Sequence, residues 1–201
     1  MLRHAILLTV FCAAASSAFA QLPISLGLKG GVGLTDAFQS TTNAQTQISA
    51  GTSLVPASTS TRFYSDARDY IIGPFVELRL PFGLGAEADA LYRPLSFATQ
   101  TGTVTTSTRY STWEFPILAK YRFGPPLIKA FVDAGPSFRA TTSNTRYLSN
   151  KGFALGGGLD IKALFIHISP EIRYTRWGDD AKGNPAPSNV NQVEFLVGLA
   201  F

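Results

Sequence analysis

The chain has 201 residues with one cysteine, 17 Lys+Arg and 13 Asp+Glu, enough for one domain of ordinary size. The mild basic excess is scattered with no basic run, which argues against a nucleic-acid partner. Past the N-terminal segment no apolar stretch approaches the ~20 residues of a membrane helix, so a membrane role requires a closed barrel, whose strands leave no unsatisfied edge in lipid.

Met1-Leu2-Arg3-His4 is a short basic start, Ala5 to Ala15 is apolar except for Thr9, and Ala18-Phe19-Ala20 has the small-x-small form of a cleavage site. This is the layout of a secretory signal peptide, so residues 1–20 are expected to be removed by cleavage after Ala20, leaving 21–201 as the barrel domain. Cys12 as a lipid anchor is the alternative, but it follows the bulky Phe11 and apolar sequence runs on to Ala20. Cleavage removes both Cys12 and Arg3. The exported chain is then held by its core, a metal or a membrane rather than by disulfides.

Period-two alternation dominates from Ile24 onward and predicts eight strands, near 24–35, 70–80, 83–97, 110–123, 128–140, 151–163, 164–177 and 191–201. Pro81-Phe82-Gly83 and Gly124-Pro125-Pro126 supply turn chemistry. Short turns join strands two to three, four to five and six to seven, while longer polar connections fall near 36–69, 98–109, 141–150 and 178–190. The first of these is a Thr/Ser/Gln stretch of low complexity. Short turns on one side and long loops on the other are the plan of an all-β, eight-stranded antiparallel up-and-down transmembrane β-barrel with a periplasmic and an outer side.

Size decides which face is outside. Trp113, Phe115, Tyr121, Phe123, Phe138, Phe153, Tyr174, Phe195 and Phe201 share the apolar faces. An eight-stranded lumen is only just wide enough for side chains, so these rings would overpack it and are expected to face lipid. Tyr70, Tyr92, Trp113, Tyr174 and Trp177 towards the long loops, and Phe82, Tyr121, Phe123 and Phe165 towards the short turns, are candidate interfacial girdles.

The opposite faces carry Lys29, Glu77, Arg79, Glu87, Asp89, Arg93, Glu114, Lys120, Arg122, Lys129, Asp133, Arg139, Asp160, Lys162, His167, Glu171, Arg173 and Glu194. Charges in a narrow lumen must be paired or hydrated. An ionic network closing the lumen is therefore expected, with hydrated, unorganised charges as the alternative. The Pro81–Gly83 turn sets Glu77 opposite Glu87, a repulsive pair, and Lys120 and Arg122 are expected to neutralise Glu87 and Asp89.

The aromatic-alternating run Val193-Glu194-Phe195-Leu196-Val197-Gly198-Leu199-Ala200 ending in Phe201, with Trp113-Glu114-Phe115-Pro116-Ile117-Leu118-Ala119-Lys120-Tyr121-Arg122-Phe123 and Ser169-Pro170-Glu171-Ile172-Arg173-Tyr174, resembles the bacterial outer-membrane β-barrel domain family. That family includes small OmpA/OmpX-type barrels and PorT-like proteins. The resemblance covers most of the exported chain and implies a bacterial outer-membrane location. It also implies recognition of Phe201 by the barrel-assembly machinery. Some PorT-like members are tied to secretion or gliding, but the motifs specify architecture rather than activity.

Catalysis has little support, and no cofactor is expected. His167 is the only histidine outside the leader, which excludes a multi-histidine metal site. It lies towards the periplasmic end, away from lipid A, which disfavours a lipid-modifying enzyme. Gly156-Gly157-Gly158 and Lys29-Gly30-Gly31-Val32-Gly33 lack the Gly-Lys-Ser/Thr ending and the following helix of a phosphate loop; letting the strands bend, or making room for large interior neighbours, explains them better. The long loops remain as functional surface. The 36–69 loop, ending in Arg62-Phe63-Tyr64-Ser65-Asp66-Ala67-Arg68, offers groups for lipopolysaccharide, a surface polymer or a protein partner. The reading is a structural or surface-interaction barrel, with a narrow pore or secretion-associated component as the alternative.

Overall fold

A computed structural model of the protein describes residues 23–46, 58–65, 70–101, 103–141, 149–163, 166–178 and 189–200. The signal segment with Ala20, the girdle candidate Phe165 and the C-terminal Phe201 lie outside the described residues. In chain order the strands are β1 (Ile24–Gly33), β2 (Thr41–Thr46), β3 (Ser58–Ser65), β4 (Tyr70–Arg79), β5 (Leu84–Asp89), β6 (Leu91–Thr101), β7 (Val104–Phe123), β8 (Ile128–Thr141), β9 (Lys151–Ala163), β10 (Ile166–Trp177) and β11 (Asn191–Ala200).

Every neighbouring pair is antiparallel, and β1 closes the sheet by pairing with β11 on one side and β4 on the other. Asp89 pairs with Phe75 and Tyr92 with Ile72, so β5 and β6 keep one register on β4. They form a single barrel strand interrupted at Ala90. The result is a closed barrel of eight antiparallel strands, so no barrel edge is left for lipid.

Two of the expected loops contain paired strands. The 98–109 connection is a hairpin in which β6 and β7 stay paired out to Thr101 and Val104. Within 36–69, β2 and β3 pair with each other, and β3 adds to the projecting end of β6. Their Thr- and Ser-rich composition reads as loop, but threonine is β-branched and suits a strand once a partner is in place.

Alternation sorts the faces as size requires. Trp113, Phe115, Tyr121, Phe123, Phe138, Phe153 and Phe195 are exposed on the outer wall with Leu26, Leu28, Ile72, Ile117, Val132, Leu155, Ile172 and Leu199. Near the long connections Tyr70, Tyr92, Trp113 and Phe115 form a row with centroids 6.3, 5.5 and 6.4 Å apart. Near the short turns Tyr121 stacks on Phe123 at 6.1 Å, and Phe82 is 93% exposed at a turn where its φ is +64°. Trp177 corrects the girdle expectation. It is buried in the lumen, because it shares the parity of Glu171 and Arg173 along β10.

The lumen is thus not purely polar. Ile71, Phe75, Leu91, Leu95, Leu118, Phe131, Trp177 and Leu196 are buried there among the charges. Glycine leaves them room. Lys29 lies between Gly198 and Gly73 in register, and Gly156 between Asp133 and Arg173. A Cβ on Gly156 would sit 2.3 Å from Asp133 Oδ1. This alternation of small and large residues fills a narrow barrel at close packing. At the outer end Ala37 and Phe38 cover Leu95, held down by Thr35, whose Oγ1 accepts from Val193 N at 2.9 Å.

Candidate functional site

The buried charges form three layers along the barrel. The middle layer centres on two cations. Lys29 Nζ meets Glu87 at 2.5 Å, Glu171 at 3.0 Å and Asp89 at 3.3 Å. Arg173 meets Glu171 at 2.6 Å, Asp89 at 2.7 Å and Glu87 at 3.5 Å. Lys120 joins them through Glu87, lies 3.7 Å from Asp133 and sits 4.3 Å above the Phe131 ring. Glu77 and Glu87 are indeed cross-strand neighbours, but their charges are taken up by different layers.

The outer layer is built around Gln192. Its Oε1 accepts from Arg93 at 3.0 Å, Arg139 at 3.1 Å and Trp177 Nε1 at 3.1 Å. Arg93 also meets Glu194 at 2.6 Å and lies 3.9 Å from Glu114. Arg139 donates to Glu114 at 3.1 Å, with its guanidinium 3.7 Å over the Trp177 ring. Planar guanidinium groups suit this combination of stacking and fixed hydrogen bonds.

The periplasmic layer holds Arg122 against Glu77 at 2.5 Å and Asp160 at 2.9 Å. Arg79 meets Glu77 at 3.2 Å, and His167 Nδ1 lies 2.9 Å from Asp160. Arg122 therefore does not serve Glu87 and Asp89 as expected. Residues 120 and 122 are separated along the barrel axis by two residues' rise, enough to place Arg122 in a lower layer. Asp89 is met by Lys29 and Arg173 instead.

Of the residues singled out from the sequence, Glu77, Arg79, Glu87, Asp89, Arg93, Glu114, Lys120, Arg122, Asp133, Asp160, Glu171 and Arg173 come together in these layers. Lys129 and Lys162 do not: they line a cavity at the short-turn mouth, beyond the ion pairs. Lys29, Arg139 and Glu194, placed on the inward faces by the same alternation, join them there. Gln192 and Trp177 were missed as lumen residues. Their shared inward parity with Glu194 and with Arg173 was the available signal.

Glu87, Asp133 and Glu171 bring carboxylate oxygens within 4.8 Å of one another. A divalent ion there would compete with Lys29, Lys120 and Arg173 for the Glu87 and Glu171 oxygens, and displacing a buried cation from its carboxylate partners is costly. His167 is engaged by Asp160 and lies 3.3 Å from Arg79, an arrangement that orients the ring within the mouth.

A barrel with its charges sealed inside and its apolar residues outside is inverted relative to a soluble barrel. Its apolar wall and aromatic rows match a bilayer, and closed antiparallel barrels of this plan are bacterial outer-membrane proteins. Solved structures that share the fold include two small outer-membrane barrels. One is Neisserial surface protein A, at 15% identity and a TM-score of 0.53, covering 89% of this chain and 96% of that one. The other is the outer membrane protein OprG from Pseudomonas aeruginosa, at 13% identity and a TM-score of 0.55, covering 89% and 95%. No family model matches the chain, and no curated protein matches it in sequence.

Proposed function

We propose that the protein is a closed outer-membrane barrel that passes no solute and acts through the surface it presents beyond the membrane, without catalysing a reaction. The observation that carries this reading is the stack of three side-chain layers across the lumen, in which Lys29, Arg173, Arg93 and Arg139 are each buried against acids of other strands. A water path would have to part these pairs, which hold the cations and acids of different strands within hydrogen-bond distance across the lumen. Ala37 and Phe38 add an apolar cover at the outer end.

The surface in question is the ribbon of β2, β3, β6 and the start of β7, which projects from one side of the barrel. Thr42, Arg62, Thr101, Val104, Thr105, Thr106 and Ser107 are exposed on it. A paired, hydroxyl-rich ribbon suits lipopolysaccharide sugars, a surface polymer or a protein partner, because strand pairing orders the backbone that carries its hydroxyls. Planar-bilayer conductance of the refolded chain, after boiling is shown to shift its gel mobility, tests the closed lumen. Silence with folded insertion is expected. Steady single-channel current would replace this reading with a narrow pore or a secretion-associated component.

A further inference from the structure

At its short-turn end, where the periplasmic layer of ion pairs forms the floor, the barrel opens into a cavity of about 520 Å³. Its lining carries Arg79, Arg122, Lys129, Lys162 and His167 but one carboxylate, Asp160. Glu77 and Asp160 are matched by Arg79 and Arg122. Lys129 and Lys162 share the inward parity of Phe131 and Asp160 on their strands and form no ion pair among the described residues. Two uncompensated ammonium groups therefore remain, on adjacent strands, at the rim of one concave wall. Low-dielectric walls concentrate the field of such charges within the cavity and favour an anion there.

We propose that this vestibule binds a phosphate group presented from the periplasmic side. The two free lysines supply charge for a multiply charged anion. Arg79, with its side chain 29% exposed, adds donors, and His167 stands beside it. Several cations converging from different strands suit the many-oxygen phosphate better than a two-oxygen carboxylate. The rim adds Leu80, Phe82, Leu84 and Pro126, an apolar edge at the level of the inner-leaflet interface. The phosphate has two possible sources, a soluble phosphate ester in the periplasm or the headgroup of a phospholipid whose chains run along the outer wall. The inference does not depend on whether the lumen conducts.

The test uses the folded full-length exported chain in non-ionic micelles, with Lys129→Met/Lys162→Met beside Lys151→Met, which removes a cation at the opposite end. Neither lysine of the pair takes part in the ion-paired layers, so heat-modifiable folding should be retained. If the double variant fails to fold, Lys129→Gln and Lys162→Gln are read singly against the same control. In one arm glycerol 3-phosphate is titrated by calorimetry; in the other, micelles doped with phosphatidylglycerol or phosphatidylcholine are followed by native mass spectrometry of retained lipid. Saturable binding of either probe that weakens at least tenfold in the double variant, and not in Lys151→Met, is expected. The arm that responds names the source. Binding in neither arm, or binding that the lysine variants leave unchanged, would overturn the proposal.

Discussion

Replacing Arg173 by methionine tests whether the lumen is held by a shared electrostatic lattice. Arg173 is 1% exposed and contacts Glu171, Asp89 and Glu87. The middle layer holds four carboxylates (Glu87, Asp89, Asp133 and Glu171) against Lys29, Lys120 and Arg173. Removing the arginine doubles the excess negative charge among these buried groups while nearly preserving side-chain volume. Breaking such a pair from one side costs about 3–5 kcal/mol, or roughly two to four orders of magnitude in the folded-to-unfolded ratio. Urea unfolding in lipid vesicles, followed by tryptophan fluorescence and by gel mobility with and without boiling, measures it. Arg176→Met, on the exposed face of the same strand, should stay within about 0.5 kcal/mol of the parent. Arg173→Met combined with Glu171→Gln returns the excess to its starting value and should recover at least about 1 kcal/mol of the loss. If Arg173→Met unfolds within about 1 kcal/mol of the parent, the buried charges are hydrated individually and the lattice argument fails.

Other consequences can be measured on the same preparation. The protein has two tryptophans, one facing lipid and one inside. Brominated acyl chains should quench the emission of Trp177→Phe, which retains Trp113, and leave that of Trp113→Phe nearly untouched; the reverse pattern would put Trp177 on the girdle after all. Gly156→Ala places a Cβ 2.3 Å from Asp133 Oδ1, whereas at Gly157 the nearest atom is 3.5 Å away. The first should cost about 1–3 kcal/mol by overpacking and the second under about 1 kcal/mol; equal losses in vesicle unfolding would remove the case for glycine as a spacer. Lys120→Met and Arg122→Met disturb different acids, Glu87 and Asp133 against Glu77 and Asp160. Their losses should add to within about 0.5 kcal/mol, and strong coupling between them would merge the middle and periplasmic layers into one.

Strand parity did most of what the sequence could do. Once Glu171 and Arg173 are placed inside, Thr175 and Trp177 follow, and the same count along β8 carries Asp133 inward with Phe131. The number of strands, the outward rings and the inward charges all rest on this one local regularity, which needs no knowledge of neighbours. Hairpin turns reach a little further. The Pro81–Gly83 turn sets Glu77 against Glu87, as counting back from it indicates. Composition misled where it was used alone, since the Thr/Ser tracts of β2, β3 and the β6–β7 extension gain their strand character from pairing.

Which acid meets which base was a different kind of question. Lys29 reaches Glu87 across 58 residues and Glu171 across 142, because β1 closes the barrel between β4 and β11 and all three groups fall at one height. That height depends on the summed register of every strand pair around the ring, and no local pattern encodes it. The sequence by itself determined that this chain makes an inverted barrel with its charges inside. Only closure of the sheet decided that those charges divide into three layers, that Arg122 serves the mouth rather than the centre, and that Lys129 and Lys162 are left facing the vestibule.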